Sequence, residues 1–420
     1  MNFFRLIRAI RLLLMALFAF PLVIFIRLIR PFKTVRFLNV DFGRIGGVYQ
    51  LDWYLSENKY KLNYKKYFDI FIVTSATNHI NYQWLKMWRR ALPHLYKGAY
   101  FWQVVIKINK LIPGYESHLL PDDLVYLTQE DKRLVGNKFK EKKQRVDDKL
   151  KLVLKNNQSN ISFTQNELDK GFQVLKEIGC KREQDYICFH ARDSMFLKNV
   201  SVNDNINYDY HNYRDSDINN YLLAAQEMAS RDIFSIRMGA IVEKKIYCDS
   251  KLIFDYASSK YRSDFNDVYI SGNCKFFLCS DTGISIVPEV FRVPVVHVNF
   301  TNITNLSVWT IDSLFIFKSF YLRSENRFMK FSEILDLEFG GIDTNEIFSK
   351  LNIELIENSP EEIRQVTIEM DERLNGIWEP KEEDKELQER FWLLFGPSKI
   401  KSPNLRIGAD FLRKNKHLIK

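Results

Sequence analysis

Short apolar runs of strand length alternate with amphipathic stretches of helix length along the second half of the chain, and this limits the fold more than any other feature. Tyr186–His190, Phe234–Arg237, Ile253–Tyr256, Lys275–Cys279 and Val293–Val298 read as buried strands. Gln165–Ile178, Ile218–Ala229 and a stretch ending at Phe291 read as helices. Strands that are apolar on both faces need cover on both faces, so the pattern predicts parallel sheets layered with helices. The first half opens the same way, with a strand over Val35–Val40, a glycine turn at Gly43–Gly47 and a helix over Tyr49–Leu55. A second strand is expected over Phe68–Val73, then an amphipathic stretch around Trp84, Leu85, Trp88 and Leu92. Residues 129–156 are dense in charge and fit a solvated helix or a hinge approach, and the polar residues 156–162 fit a border. The expected class is therefore α/β, with a membrane-associated helical segment over 1–34 and Rossmann-like domains over 35–162 and 163–350. A helical extension over 351–420, amphipathic from Pro360, completes the chain. Two such domains in tandem would face a cleft at the C-terminal edges of their sheets.

Charge explains the separate treatment of the N-terminus. Of the net +9, the first 36 residues supply seven (Arg5, Arg8, Arg11, Arg27, Arg30, Lys33 and Arg36) with no acidic residue, so the other 384 carry +2. A nucleic-acid binder spreads its cations over a folded face, which argues against that partner. Fifteen uncharged residues, Leu12–Ile26, lie between the two basic clusters and are interrupted by Pro21. That is short of the ~20 apolar residues a spanning helix needs. The segment fits a monotopic hairpin bent at Pro21 on an anionic membrane surface, with Arg27, Arg30 and Lys33 at the headgroups. A tilted single span is the second reading and a signal peptide the third; no A-x-A-like cleavage site is present. The five cysteines form no CxxC pair and read as reduced thiols of a cytoplasmic protein, Cys274 and Cys279 lying in an apolar run where Cys is a small buried hydrophobe, with no zinc site.

Several segments could carry chemistry. Ser280-Asp281-Thr282-Gly283 follows a strand and precedes a helix, where free N–H groups and the helix dipole favour a phosphate; an ordinary N-cap explains Asp and Thr equally well. Glu289 lies six residues after Gly283, close enough to the helix start to approach a sugar or ribose. His190, Arg192 and Asp193 close the strand Tyr186–His190, and such groups are costly in a core and useful in a crevice. Arg192 suits a phosphate, while His190 and Asp193 suit a hydroxyl and its proton. Arg214, Arg237, Arg262 and Asp264 add charge near other strand ends. Asp215-Ser216-Asp217 is a D-x-D, but its place before a helix fits capping better than metal binding. Asp52 follows the first glycine turn and is a further candidate base. P-loop, HExxH and GxSxG patterns are lacking.

The run from Asn266 to Asn299, containing Phe-Phe-Leu-Cys-Ser-Asp-Thr-Gly283, Pro-Glu289 and Val-Pro-Val-Val, resembles the donor half of GT-B glycosyltransferases, the lipopolysaccharide heptosyltransferases among them. His190-x-Arg192 is similar to the donor motif of fucosyltransferases of that fold. The whole set, from Phe-His-Ala-Arg-Asp193 through His-Asn-Tyr-Arg-Asp215 and Ile-Arg-Met-Gly239 to Arg-Ser-Asp-Phe265, resembles a bacterial glycosyltransferase family of surface-polysaccharide contexts. The resemblance implies an acceptor-side first domain, a donor-binding second domain and a nucleotide-sugar substrate with no obligatory metal or cofactor. Together with the basic, apolar N-terminal segment and the reduced cysteines, it leads to the expectation of a membrane-associated transferase acting on a lipid-linked or polysaccharide acceptor at the cytoplasmic face of the inner membrane. Two departures accompany it: Gly47 stands where heptosyltransferases carry an acidic residue, and Asp193 lies nearer its arginine than the fucosyltransferase acid does. A sugar-nucleotide epimerase or hydrolase, and a non-catalytic scaffold of a polysaccharide complex, are the alternative readings.

Overall fold

In a computed structural model, the structure describes residues 3–58, 66–74, 79–97, 99–120, 158–204, 209–301, 312–339, 344–394 and 405–419. The chain divides into two compact units, residues 1–126 and 127–420. The expected charged stretch 129–156 and the first residues of the expected border lie outside the described residues.

Unit 1 is built on three parallel strands, β1 (Thr34–Asp41), β2 (Tyr67–Thr74) and β3 (Leu95–Tyr96), in the order β1-β2-β3. Helices Tyr49–Asn58, Tyr82–Ala91 and Ala99–Lys110 accompany them. Between β1 and the first of these helices, the chain doubles back so tightly that a Cβ on Gly47 would lie 2.5 Å from the Asp41 carbonyl oxygen. Glycine is required there by close approach.

The N-terminal segment departs from expectation. It is one continuous helix, Phe3–Leu28, with Pro21 inside it, and not a hairpin bent at that residue. Proline forgoes one intrahelical hydrogen bond. Ala19, Val23 and Ile26, spaced four and three apart, still form a single face through Pro21 and pack with Val35, Phe37, Ile70, Ile72, Val105 and Ile106. Burying that face outweighs one lost bond. Arg27 is engaged by the protein itself: its guanidinium donates to Asn109 Oδ1 (2.8 Å) and to the carbonyls of Asn109, Ile112 and Pro113 (3.0–3.1 Å). It thereby staples the helix to the carbonyl-rich end of Ala99–Lys110. On the other side, Leu13, Leu17, Phe18, Phe20, Phe25 and Leu28 are each more than half exposed.

Unit 2 carries seven parallel strands: β4 (Tyr186–His190), β5 (Phe234–Arg237), β6 (Ile253–Asp255), β7 (Phe277–Cys279), β8 (Val295–Phe300), β9 (Leu314–Phe317) and, last in the chain, β13 (Arg406–Ile407). Their order is β13-β9-β8-β7-β4-β5-β6. A small antiparallel sheet of β10 (Ser319–Leu322), β11 (Arg327–Phe328) and β12 (Ile353–Ile356) follows β9. Residues of alternating strand positions form two cores. One gathers Ile187, Phe189, Leu278, Val296 and Val298 with Ile363, Val366, Phe391 and Phe411. The other gathers Tyr186, Cys188, Phe277 and Cys279 with Leu175, Phe265 and Tyr269. The last seventy residues therefore contribute helices Pro360–Leu374 and Asp384–Leu393 and an edge strand to the same sheet and core. Helix Gln165–Glu177 lies flush on the opposite face, since a Cβ at Gly171 would fall 2.2 Å from the Tyr269 ring.

Candidate functional site

The strand order of unit 2 locates its site. From β4 the chain proceeds outward through β5 and β6; from β7 it proceeds the other way through β8 and β9. The reversal falls between β4 and β7, which pair in parallel with His190 opposite Cys279. In open α/β sheets the loops beyond the carboxyl ends at such a point part and leave a crevice. Here those loops are residues 191–194 and 280–285.

The two loops are tied together. The Arg192 N–H donates to Ser280 Oγ at 2.8 Å, and Ser280 is fully buried. The Arg192 carbonyl accepts from the Ser216 N–H at 3.0 Å, which brings the segment 209–216 alongside. On it, Asp215 forms an ion pair with the Arg192 guanidinium, and Arg214 holds Asp281 through both its carboxylate (2.6 Å) and its carbonyl (2.9 Å). Lys318, 4% exposed, donates to the carbonyls of Tyr213 (3.2 Å) and Asp215 (2.5 Å). Three cations and two paired carboxylates thus occupy one edge. Burial acts against charge throughout: it lowers the Arg192 and Lys318 pKa values and lifts Asp215 to about 6, with Arg192 offsetting part of the last shift. For Arg214, burial is the largest single influence, but Asp281, Tyr213 and Asp215 together outweigh it and the net direction is upward. Arg192 Nη2 is buried without a hydrogen-bond partner among the described residues.

The β7 loop begins as a single turn of 3-10 helix, Gly283–Ser285, and continues into the short helix Ile286–Val290. Ser285 N–H returns to the Thr282 carbonyl. The N–H groups of Thr282, Gly283 and Ile284 have no such acceptor among the described residues, and Gly283 is exposed. With only five α-helical residues behind it, the turn offers its N–H groups more than a macrodipole.

His190 closes β4 with Nδ1 2.9 Å from the Met238 carbonyl. A carbonyl only accepts, so Nδ1 carries the proton and Nε2 keeps its lone pair. Burial, reinforced by Arg237 and Arg192, lowers the pKa to about 4, and the ring is neutral at neutral pH. Asp193 uses both carboxylate oxygens on backbone, Oδ1 on the Met195 N–H and Oδ2 on the Glu243 N–H, each at 3.0 Å. Arg237, 1% exposed, binds Asp255 Oδ1 and the Lys244 carbonyl, both at 2.9 Å, and so secures the loop after β5. Glu289 is buried with Oε1 3.4 Å from His297 Nε2, and burial raises its pKa. Arg262 pairs with Asp267 at 3.3 Å, beside Asp264 in the first turn of helix Asp264–Gly272. Asp217 caps the turn Ile218–Tyr221 through the Asn219 N–H. Asp52 belongs to unit 1 and is 1% exposed on helix Tyr49–Asn58.

The switch point therefore brings together His190, Arg192, Arg214 and Ser280–Gly283 from the expected set. It adds Asp215 as a partner and Lys318, which sequence reasoning missed. A signal for Lys318 was present: it is the one charged residue within the largely apolar Leu314–Phe320.

Comparisons with known proteins find structural similarity at low identity. The chain is similar to a glycosyl transferase family 9 protein from Veillonella parvula (11% identity, 81% of this chain, 97% of that chain, TM-score 0.44). It is also similar to the E. coli ADP-heptose lipopolysaccharide heptosyltransferase II (9%, 63% and 84%, TM-score 0.35). A UDP-N-acetylglucosamine 2-epimerase matches as well (10%, 83% and 98%, TM-score 0.33). No protein-family model and no curated protein matches the chain. At such identities, residue roles must be read from this chain's own geometry.

Proposed function

We propose that the chain is a membrane-associated glycosyltransferase that moves a sugar from a nucleotide-sugar donor to a lipid-linked or surface-polysaccharide acceptor. The observation that carries the reading is the charge arrangement at the β4/β7 switch point. Transfer breaks the bond between the sugar's anomeric carbon and the donor diphosphate, which departs with added negative charge. Arg192, Arg214 and the N–H groups of Thr282, Gly283 and Ile284 are fixed donors where that charge would develop, and preorganised donors of this kind are worth ~3 kcal/mol each. Arg214 neutralises Asp281, so the carboxylate beside the turn does not repel the phosphate. Arg192 Nη2, buried and without a protein acceptor among the described residues, supplies a further donor.

The attacking acceptor hydroxyl must lose its proton. With both oxygens of Asp193 on backbone N–H groups, His190 Nε2 is the better acceptor in this unit. A pKa near 4 gives it the basicity of an ordinary carboxylate. The acceptor side, and any role for Asp52, belong to unit 1 in this proposal.

The membrane part rests on the N-terminal helix, whose Ala9–Leu28 stretch is apolar enough to cross a bilayer yet packs one face on unit 1. Because that face is committed to the unit, we assign the helix an in-plane position, with its exposed Leu and Phe side chains in the cytoplasmic leaflet of the inner membrane. Alkaline carbonate should leave the chain on membranes, and release by salt alone would contradict this assignment.

The functional test is a thermal-shift screen over nucleotides and nucleotide sugars, then incubation of the best donor with and without membrane-derived acceptor. A ligand bound by the native state alone raises its stability. Acceptor-dependent transfer is expected. Rapid epimerisation or complete hydrolysis without acceptor would displace the reading.

A further inference from the structure

The sheet face of unit 1 that packs on helix Phe3–Leu28 changes character at its carboxyl edge. On β1 the buried Val35 and Phe37 are followed, at the same alternation, by exposed Asn39 and Asp41. Asn39 pairs with Ile72 and Ile72 with Tyr96, so Asn39 and Tyr96 share one row of that face. Tyr96 is exposed and stacks on Trp102 of helix Ala99–Lys110, with ring centroids 5.6 Å apart and planes at 29°. Gln103, the next residue, donates to Asn39 Oδ1 at 2.8 Å on the exposed side. Asp41 accepts from the Gly43 N–H with one oxygen (2.8 Å) and keeps the other without a partner among the described residues. Aromatic rings beside amides and a carboxylate suit a sugar, whose C–H face packs on a ring while its hydroxyls take hydrogen bonds. The carboxyl ends of parallel strands are also where ligands of α/β sheets sit.

Apolar surface borders the same edge. Helix Phe3–Leu28 runs parallel to Ala99–Lys110: Arg27 binds residues 109–113 at one end, and Arg11 lies 5.4 Å from the centre of the Tyr100 ring at the other. The stretch Ala9–Leu14 therefore passes the start of Ala99–Lys110, level with the carboxyl ends of the strands. A helical turn takes about 3.6 residues, yet every residue of Ala9–Leu14 is exposed, so no face of this stretch packs on the unit. The packed face begins farther on, with Ala19.

We propose that this edge is the acceptor site and that the acceptor is a lipid-linked sugar, with its saccharide against Asn39, Asp41, Tyr96, Trp102 and Gln103 and its hydrocarbon chain along Ala9–Leu14. The inference rests on the sugar-transfer reading and narrows its acceptor, since a free polysaccharide has no counterpart for the apolar stretch. With the donor that best stabilises the full chain, transfer is measured in nonionic detergent to two acceptors from the same membranes. One is a chloroform–methanol lipid extract and the other the water-soluble polysaccharide. Preferential transfer to the lipid extract is expected. Tyr96→Ala and the isosteric Asp41→Asn should each raise KM for the extract about tenfold, with kcat and the donor's effect on melting temperature unchanged. Leu13→Gln, at a side chain 73% exposed, should also raise that KM about tenfold, while Leu28→Gln, 70% exposed near the Arg27 staple, should not. Polysaccharide used as well as the extract, equal effects of Leu13→Gln and Leu28→Gln, or an unmoved KM in Asp41→Asn would overturn the inference and leave sugar transfer standing. No transfer to either acceptor would overturn both.

Discussion

Replacing His190 with asparagine should change how stability depends on pH. The asparagine amide can take over the Nδ1–H donation to the Met238 carbonyl, so the variant chiefly removes titration. In the unfolded chain the imidazole binds a proton near its ordinary value of 6.5, whereas in the native state burial delays binding until about pH 4. Between these values the unfolded state holds more protons, so native stability is intact above pH 6.5 and is lost as pH falls. At pH 5 the loss relative to pH 8 is about 2 kcal/mol. Asp215 works in the opposite sense: its pKa is raised to about 6, so acidification favours its native form. That contribution is common to both proteins and cancels in their difference. Urea unfolding of wild type and His190→Asn at pH 8, 7, 6 and 5 should show the variant gaining about 2 kcal/mol on the wild type between the extremes. A difference that is flat with pH, or that grows in favour of the wild type, would refute the neutral state of His190.

Further outcomes follow from other contacts. Arg27→Met keeps the apolar stem and removes the staple on residues 109–113, leaving the buried Asn109 acceptors and the half-buried Ile112 carbonyl unpaired at about 3 kcal/mol in all; thermal melts should show it, while a purely headgroup role would leave them unchanged. Gly47→Ala forces a Cβ onto the Asp41 carbonyl and should destabilise unit 1 by more than about 2 kcal/mol in chemical unfolding. Lys318→Met should cost unit 2 about 2–3 kcal/mol by orphaning the Tyr213 and Asp215 carbonyls, and a neutral result would show that water replaces the ammonium.

Much of this architecture is legible in the residues. Tyr186–His190 and Phe234–Arg237 match β4 and β5 to the residue because apolar runs bounded by polar or charged residues are local signals. β9 and β13 were not anticipated: the first is an apolar run with no helix signal before it, and the second is two residues whose strand character comes from pairing with β9. The bend at Pro21 failed for a related reason, since the face formed by Ala19, Val23 and Ile26 acquires its value from residues as far along the chain as Val105 and Ile106. At the site, strand ends indicated that His190, Arg192 and Ser280–Gly283 would share one edge, but Arg237 and Glu289, expected beside them, are held by Asp255 and His297. Asp193 on two backbone N–H groups, Arg237 on Asp255 and Asp215 on Arg192 are tertiary choices that no spacing reveals.

The central claim is that a donor diphosphate binds at the β4/β7 switch point. Its most direct test is a crystal structure of the full chain with the nucleoside diphosphate that most raises its melting temperature. The account predicts phosphate oxygens within about 3 Å of the N–H groups of Thr282, Gly283 or Ile284, with Arg192 or Arg214 on the same phosphate. A nucleotide seated elsewhere, with those N–H groups left to solvent, would contradict it.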